Sequence, residues 1–307
     1  MAVEGKGRRP IRIILVRHGE SEGNVDESKY CSTADSKILL TPEGIRQAEA
    51  CGATIRKMIE KTAERDWKVY FYASPYKRTL STLRHLGRAF EKRRILGVRE
   101  EPRIREQDFG NFQITEAMKI VKDTRERFGR FFYRFHEGES AADVFDRVTS
   151  FLESLWRDID TDRLNRELGS STDLNLVIVS HGVTMRVFLM RWFKWTTEQF
   201  EFLNNFQNCE FRVMQLGSGG EYSLAVHHKT AELEQWGLSA EMIADQEFRA
   251  TANRGQWNFD WPWSGPAFFD HFDEELETEE CCGDNNLSLT ISTSKDHPCH
   301  LHADTVA

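Results

Sequence analysis

Short runs of branched and aromatic apolar residues alternate along the chain with longer segments in which apolar residues recur every three to four positions. The short runs predict buried strands, and the longer segments predict amphipathic helices. The predicted strands are 11–16, 68–73, 96–104 and 176–180, followed by an edge hairpin of 209–216 and 222–227. The predicted helices are 42–59, 76–90, 115–128, 141–156 and 183–193. Strands that alternate with helices in this way predict an α/β fold with a mostly parallel, doubly wound central sheet.

Several segments fall outside this alternation. Residues 1–9 are predicted to be a flexible N-terminus, and the polar residues 22–40 a loop that folds over one end of the sheet. The periodicity fades after His228, so the globular domain is predicted over residues 10–228. Residues 229–278 are rich in aromatic and acidic side chains, and we expect either that the first part of this segment straps back onto the core or that the segment is a partner-binding or autoinhibitory peptide. Residues 279–307 are predicted to be disordered.

The charge of the chain is concentrated near its C-terminal end. The formal net charge is -8, but residues 255–294 contain nine acidic residues and no Lys or Arg, which leaves 41 basic and 40 acidic residues elsewhere. A nearly neutral body with local arginine clusters favours a small anionic substrate over nucleic acid. No apolar run reaches membrane-spanning length or forms a signal peptide, so we expect no membrane partner and a location in the cytoplasm or the nucleus. The sequence predicts no particular oligomeric state.

The six cysteines, at positions 31, 51, 209, 281, 282 and 299, show neither a disulfide framework nor the paired spacing of metal ligands. We therefore expect reduced thiols and no metal site. No cysteine is followed by arginine at the interval of cysteine phosphatases, and no phosphate-binding GxxxxGK[ST] loop occurs. Two common routes to phosphoryl transfer are thus excluded by the sequence.

Polar side chains that suit phosphate chemistry follow three of the predicted strands. Arg17 and His18 follow the first strand, Arg78 lies in the first turn of the helix after the second, and His181 follows the strand 176–180. The carboxyl ends of parallel strands share one edge of a sheet, so these side chains are expected to meet there. Two arginines and a second histidine would neutralise a phosphate without metal, and they would lower the pKa of His18 so that it stays an unprotonated nucleophile. The pattern predicts phosphoryl transfer through histidine.

These strand ends belong to a longer set of motifs in one order along the chain. They are RHGESEGN at 17–24, LTPEGIRQA at 40–48, SPYKRTLST at 74–82, REQDFGNFQ at 105–113, GES at 138–140 and SHG at 180–182. Over residues 10–228 the chain resembles the histidine phosphatase superfamily, which includes phosphoglycerate mutase and its phosphatase relatives. The loop YCSTADSKILLT and the segment FFYRF are similar in particular to the phosphoglycerate mutase-like proteins of plants and fungi.

The resemblance implies a three-layer α/β/α sandwich with helices on both faces of the sheet and the site at its carboxyl edge. It also implies that His18 is the phosphorylated nucleophile and that Glu106 is the proton donor to the leaving oxygen. The alternative for Glu106 is an ion pair with a neighbouring arginine. The candidate phosphate- and substrate-binding residues are Arg17, Ser21, Asn24, Arg78, Arg130, His181 and Gly182.

The favoured function is a metal-independent phosphatase acting on a small phosphomonoester. A mutase remains open, although glycolytic mutases usually carry an aromatic residue where this chain has Gly23. No cofactor is expected for a phosphatase, whereas a mutase would use 2,3-bisphosphoglycerate. A non-catalytic phosphate sensor or scaffold is a further alternative. The arginine-rich aromatic segment 125–136 is expected either to pack at a helix end or to form a lid that favours a second anionic group.

Overall fold

The computed structural model describes residues 9–111, 115–164 and 172–258. Its strands are β1 Arg12–Arg17, β2 Asp66–Ala73, β3 Ile95–Glu100, β4 Thr172–Ser180, β5 Phe211–Leu216 and β6 Tyr222–Ser223. Its α-helices are α1 Glu22–Val25, α2 Pro42–Thr62, α3 Lys77–Gly87, α4 Thr115–Phe128, α5 Ala141–Asp160, α6 Gly182–Phe193, α7 Thr197–Phe202, α8 Thr230–Gln235 and α9 Ala240–Thr251. Short 3-10 turns occupy 27–31, 35–37, 92–94 and 102–104.

The strands form one six-stranded sheet with the order β3-β2-β4-β1-β5-β6. The first four strands of this order pair in parallel, while β5 is antiparallel to both β1 and β6. The mixed but mostly parallel sheet confirms the predicted α/β class. Because parallel neighbours need crossover connections, the helices between these strands cover the faces of the sheet.

Alternating side chains of the strands face two helical layers. Ile14 and Phe71 pack in one core with Ile55 of α2 and Leu83 of α3. Tyr72, which follows Phe71 and therefore points to the opposite face, contacts the ring of Phe151 in α5 at 5.5 Å between centroids. Helices α2 and α3 pack against each other, as do α5 and α6. The sheet thus lies between two helix pairs, which confirms the predicted three-layer sandwich.

The register of the sheet brings three strand ends together. Arg17 at the end of β1 pairs with Ser180 at the end of β4, and Ala73 at the end of β2 pairs with Val179. The backbone NH of His18 extends this pairing by donating to the Ser180 carbonyl at 3.0 Å. The chain leaves each strand at the same edge, so the residues that follow share one crevice.

Some elements differ from their predicted extents. The third strand ends at Glu100, because Pro102 lacks the NH that a continued strand would need and starts a 3-10 turn. The predicted loop 22–40 contains α1 and two 3-10 turns. Helices α7 and α8 were not predicted, since they have six residues each and offer less than two turns of periodicity. Helix α9 has twelve residues and lies after His228, where the sequence predicts no further helix.

Residues Met1–Gln256 form one compact unit, so α8 and α9 belong to the same unit as the sheet. A second unit, Trp257–Ala307, is described only at its first two residues. The predicted disordered tail 279–307, residues 259–278 of the aromatic and acidic strap and residues 1–8 of the flexible N-terminus lie outside the described residues. Within the described part, no helix is long and apolar enough to cross a membrane.

Candidate active site

His18 lies at the carboxyl end of β1, buried to 3% exposure beside a cavity that it lines. Its Nδ1–H donates to the carbonyl of Gly19 at 2.7 Å, and its Nε2 accepts from Arg78 Nε at 3.2 Å. These partners assign the tautomer, with the proton on Nδ1 and the lone pair on Nε2. Burial, followed by the charges of Arg78 and Arg17, holds the pKa of His18 well below its usual value. His18 therefore presents a neutral, unprotonated nitrogen.

Arg78 lies in the first turn of α3 with 2% of its surface exposed. Its Nη1 donates to the carbonyl and to Oδ1 of Asp35, both at 2.7 Å. Burial alone would lower the pKa of Arg78, but Asp35 and then Tyr30 outweigh it and raise the pKa. A fixed cation at a helix N-terminus is a favourable position for a phosphate. In this structure Asp35, from the segment 22–40, holds the guanidinium in place.

Arg17 supplies the second guanidinium of the pocket. Its Nη1 donates to the Phe206 carbonyl at 2.5 Å, and its Nε is buried without a hydrogen-bond partner. Burial lowers the pKa of Arg17, and the nearby Glu106 partly opposes this effect. The anchored Nη1 orients the side chain, which lines the cavity and can donate to a ligand there.

His181, after β4, packs directly against His18, with ring centroids 5.2 Å apart in an edge-on arrangement. Its Nε2 lies 2.8 Å from Ser74 Oγ, while its buried Nδ1 has no partner. Burial and then Arg78 and His18 hold its pKa well below the usual value. The structure therefore brings together the four residues that the strand ends predicted, with both imidazoles neutral.

The cavity beside this cluster has a volume of about 380 Å³. Its cationic lining residues are Arg17, Arg78, Lys122, Arg125 and Arg186. Its acidic lining residues are Glu27, Asp35, Glu106 and Glu126. Its apolar and aromatic lining residues include Tyr30, Phe109, Met118, Phe135 and Val183. The size and the excess of cations suit a small anionic ligand.

Glu106 lines the cavity and is half-buried. Its Oε1 accepts from the backbone NH of Gln107 at 3.0 Å and from the NH and hydroxyl of Thr184, both at 3.4 Å. The neighbouring Arg105 instead pairs with Glu139 at 2.5 Å. Among the described residues Glu106 makes no ion pair, so its carboxyl group is oriented by neutral donors and faces the cavity.

The first motif after His18 contributes Asn24 to the cavity wall. Asn24 Oδ1 accepts from the NH of Ser21 at 3.1 Å, from Ser21 Oγ at 3.0 Å and from Asn208 Nδ2 at 3.1 Å. These three bonds use the oxygen and leave the amide NH2 group of Asn24 for a ligand. Ser21 itself is fully buried beneath Asn24, and the structure places it behind the cavity wall.

Three other candidates do not line the cavity: the fully buried His181, which packs against His18, and Arg130 and Gly182. Arg130 donates through Nε to Glu201 Oε2 at 3.2 Å, outside the lining. Gly182 is packed against Asn205, since a Cβ at this position would lie 2.1 Å from Asn205 Oδ1. Asn205 does line the cavity. Gly182 is thus needed for a close approach of Asn205.

The segment 125–136 divides between packing, as one prediction had it, and the cavity wall, while its role as a lid stays a prediction. Arg125 and Phe135 line the cavity, whereas Phe131 is buried against Phe200 and Arg134 pairs with Asp143 at the surface. One side of the segment packs, and the other contributes positive charge to the site.

Several lining residues were missed in the sequence. Arg186 lies three residues after Val183 on α6, and Lys122 lies four residues after Met118 on α4. The sequence shows the helical spacing of these residues, but tertiary packing decides which face of each helix points to the cavity. Tyr30 covers Gly23, where a Cβ would lie 2.4 Å from the Tyr30 hydroxyl oxygen. This contact joins two parts of the segment 22–40, and no local pattern indicates it.

No group of three or more His, Cys, Asp or Glu side chains that could hold a metal ion occurs among the residues described. The site consists of histidines, arginines and single carboxylates spread around a cavity. The hydrogen-bond donors of this site suit an anionic ligand.

Comparison with known proteins gives a family match over most of the compact unit. The sequence model of the histidine phosphatase superfamily (branch 1) matches residues 13–228. The phosphoglycerate mutase-like protein AT74 of Arabidopsis thaliana is 62% identical over 274 residues, covering 88% of this chain and 86% of that protein. The broad-range acid phosphatase DET1 of Saccharomyces cerevisiae is 32% identical over 292 residues, covering 68% and 86%. The solved structure of mycobacterial hydrolase 1 superposes with a TM-score of 0.51 at 21% identity, covering 66% of this chain and 88% of that one.

Proposed function

The chain belongs to the histidine phosphatase superfamily, and we propose from this membership and from the geometry of His18 that it is a metal-independent phosphatase. Its substrate would be a small phosphomonoester, and the reaction would pass through a phosphohistidine at His18. The proposal rests on the tautomer assigned to His18: its Nε2 lone pair accepts a hydrogen bond from Arg78 beside the cavity. The yeast relative named as an acid phosphatase supports hydrolysis as the outcome.

In the first step a substrate phosphate would take the hydrogen bond that Arg78 Nε now gives to His18. Arg17, Asn24 and His181 would donate to the other phosphate oxygens. The freed Nε2 lone pair would then attack phosphorus, so that an N–P bond forms as the bond to the leaving oxygen breaks. Glu106 would transfer its proton to that oxygen.

In the second step water would attack the phosphohistidine. The ionised Glu106 would accept a proton from water as the new P–O bond forms and the N–P bond breaks. The electron pair would return to Nε2 and regenerate neutral His18. The hydrogen bond from Nδ1 to the Gly19 carbonyl would stabilise the positive charge of the phosphorylated ring between the two steps.

A mutase would share the first step but return the phosphoryl group to a second substrate hydroxyl. The position occupied by an aromatic residue in glycolytic mutases is Gly23 here, and Tyr30 fills the space next to it. This difference at the cavity wall, together with the yeast phosphatase, favours water as the acceptor.

The test is a panel of alkyl and aryl phosphomonoesters assayed with EDTA present, beside 3-phosphoglycerate with and without 2,3-bisphosphoglycerate. We expect release of inorganic phosphate that needs neither metal nor bisphosphate. Isomerisation of 3-phosphoglycerate that requires the bisphosphate would assign a mutase. Phosphate binding without any turnover would favour the sensor, and loss of activity in EDTA would contradict the metal-independent mechanism.

A further inference from the structure

Arg186 is a buried cation on the wall of the cavity. It lies on α6 with 5% of its surface exposed, and its Nη1 donates to the Leu203 carbonyl at 3.1 Å. Its Nε is buried and has no hydrogen-bond partner. In the part of the chain that the structure describes, no carboxylate lies within ion-pair distance of Arg186. A buried charge without a partner is costly, so such a group calls for an anion that the protein itself does not supply.

Arg125 on α4 shows the same pattern on the wall of the same cavity. Its Nε is also buried without a partner, and the guanidinium packs 5.7 Å from the centroid of Phe135. The nearest acid is the adjacent Glu126, whose oxygen lies 4.0 Å away and whose side chain is mostly exposed. The distance is too long, and the carboxylate too exposed to solvent, for Glu126 to neutralise the charge of Arg125.

Two of the other cations around the cavity, Arg78 and Lys122, have acidic partners. Arg78 is held by Asp35, and Lys122 contacts Glu27 at 2.8 Å. Arg17 resembles Arg186 and Arg125 in having a buried, unused Nε, and it lies next to His18 at the phosphate end. Buried Nε atoms without a hydrogen-bond partner therefore occur at two places on the cavity wall. One is Arg17 beside His18, and the other is the pair Arg186 and Arg125.

The surroundings of the pair suit a compact anion. Burial and then the charge of Arg130 lower the pKa of Arg186 to about 9, which still leaves the side chain charged at neutral pH. The apolar lining residues Met118 and Val183 reduce the competition from water. Since Nη1 of Arg186 donates to a backbone carbonyl and its Nε is buried, Nη2 is the nitrogen of this lining residue that remains for the oxygens of a carboxylate or phosphate.

We propose that Arg186 and Arg125 form a second anion-binding subsite, so that the preferred substrate is a small phosphomonoester carrying a further carboxylate or phosphate group. The inference rests on the proposed function, because it takes the phosphoryl group to bind at His18. The second anionic group then binds the two guanidinium groups and orients the ester for attack. Arg186 and Arg125 determine which substrate is accepted and take no part in the bond changes.

The test compares equilibrium binding of three non-hydrolysable ligands by calorimetry: propylphosphonate, 3-phosphonopropionate and 1,3-propanediylbisphosphonate. We expect one of the two doubly anionic ligands to bind about 10- to 100-fold more tightly than propylphosphonate, the range given by hydrogen bonds to charged groups. Which of them binds better distinguishes a carboxylate from a phosphate. Equal binding of all three by the native protein would overturn the subsite.

The variant Arg186→Gln should reduce this preference about tenfold or more, to near equality. Arg191→Gln is the matched control, because Arg191 lies on the same helix but donates to Thr149 and does not line the cavity. It should keep the preference. A purely structural role of Arg186 would weaken all three ligands equally and would contradict the proposal. If Arg186→Gln fails to fold, Arg125→Gln provides the same test and should lose the same preference for a doubly anionic ligand.

Turnover of p-nitrophenyl phosphate by the native protein is measured beside the binding. It reports the phosphatase reaction and needs no second anionic group. Loss of ligand preference with turnover intact would overturn the subsite alone. Absence of turnover with the binding preference intact would overturn the phosphatase assignment alone.

Discussion

The surroundings of His18 suit the nucleophilic role that we propose for it, since a free imidazole near neutral pH is partly protonated. Burial removes the stabilising solvent, and Arg78 and Arg17 disfavour a further positive charge. In the proposed mechanism the same arginines attract the phosphate. The two guanidinium groups would therefore have two effects: they would bind the substrate, and they would keep Nε2 unprotonated for the attack.

The proposed role of Glu106 is the opposite one, to give a proton to the leaving oxygen. Glu106→Gln should slow hydrolysis of an alkyl phosphate by about 10²- to 10⁴-fold, because an alkoxide needs that proton. Hydrolysis of p-nitrophenyl phosphate should fall far less, because nitrophenolate leaves without help. The glutamine keeps the oxygen that accepts from Gln107 and Thr184, so the fold should be preserved.

The measurement is kcat on both substrates for the native protein and the variant, with thermal unfolding as the check on folding. Equal losses on the two substrates would mean that Glu106 only positions the ester. No loss on either would remove Glu106 from the mechanism.

Among single residues, those that follow a strand directly were predictable, and those that depend on tertiary contacts were not. Arg17 and His18 come straight after β1, so their place at the sheet edge follows from the local pattern. Arg186 was missed because the orientation of α6 decides which of its side chains reach the cavity. Arg130 was chosen for its charge, but Glu201, distant in sequence, pairs with it outside the cavity wall.

Helices α2 and α3 form one of the two layers and hold Arg78 at the site. They approach closely at Gly52, where a Cβ would lie 2.3 Å from the backbone oxygen of Leu86. Gly52→Ala should therefore destabilise the protein by about 1–3 kcal/mol, the usual cost of overpacking. The measurement is the free energy of unfolding by urea titration.

Gly87→Ala, at the end of α3, is the matched control. No atom lies within 4 Å of the Cβ that it would add, and Gly87 does not have a positive φ. It should leave stability unchanged or raise it by about 0.4–1 kcal/mol through the lower entropy of the unfolded chain. If Gly52→Ala were as stable as Gly87→Ala, the two helices would not pack through this contact.

The long helices could be predicted from the sequence, whereas the short elements could not. Helix α4 has the predicted bounds Thr115–Phe128, and α2 and α5 were found from their long apolar stripes, although both extend further than predicted. Strand β6 has two residues where six were predicted, because the chain turns after Ser223 and the following apolar residues pack without strand pairing. Short elements are fixed by the neighbours that they pack against, and the local sequence carries little of that information.

The sheet as a unit explains why residues far apart in the chain act together. The motifs at 17–24, 74–82 and 180–182 follow three adjacent strands whose ends are in register. The parallel order could be predicted from alternating strands and helices, whereas the antiparallel addition of β5 beside β1 could not. The predicted boundary of the globular domain at residue 228 stays a prediction.

The central claim is that the phosphoryl group is carried by His18. Native protein mixed with a ³²P-labelled phosphomonoester and quenched in alkali within milliseconds should carry label that is stable to base and lost in acid, as expected of a phosphohistidine. His18→Ala, checked by thermal unfolding to be folded, should carry none and should show no turnover. Label retained on His18→Ala, or native turnover without any labelled protein, would contradict the account.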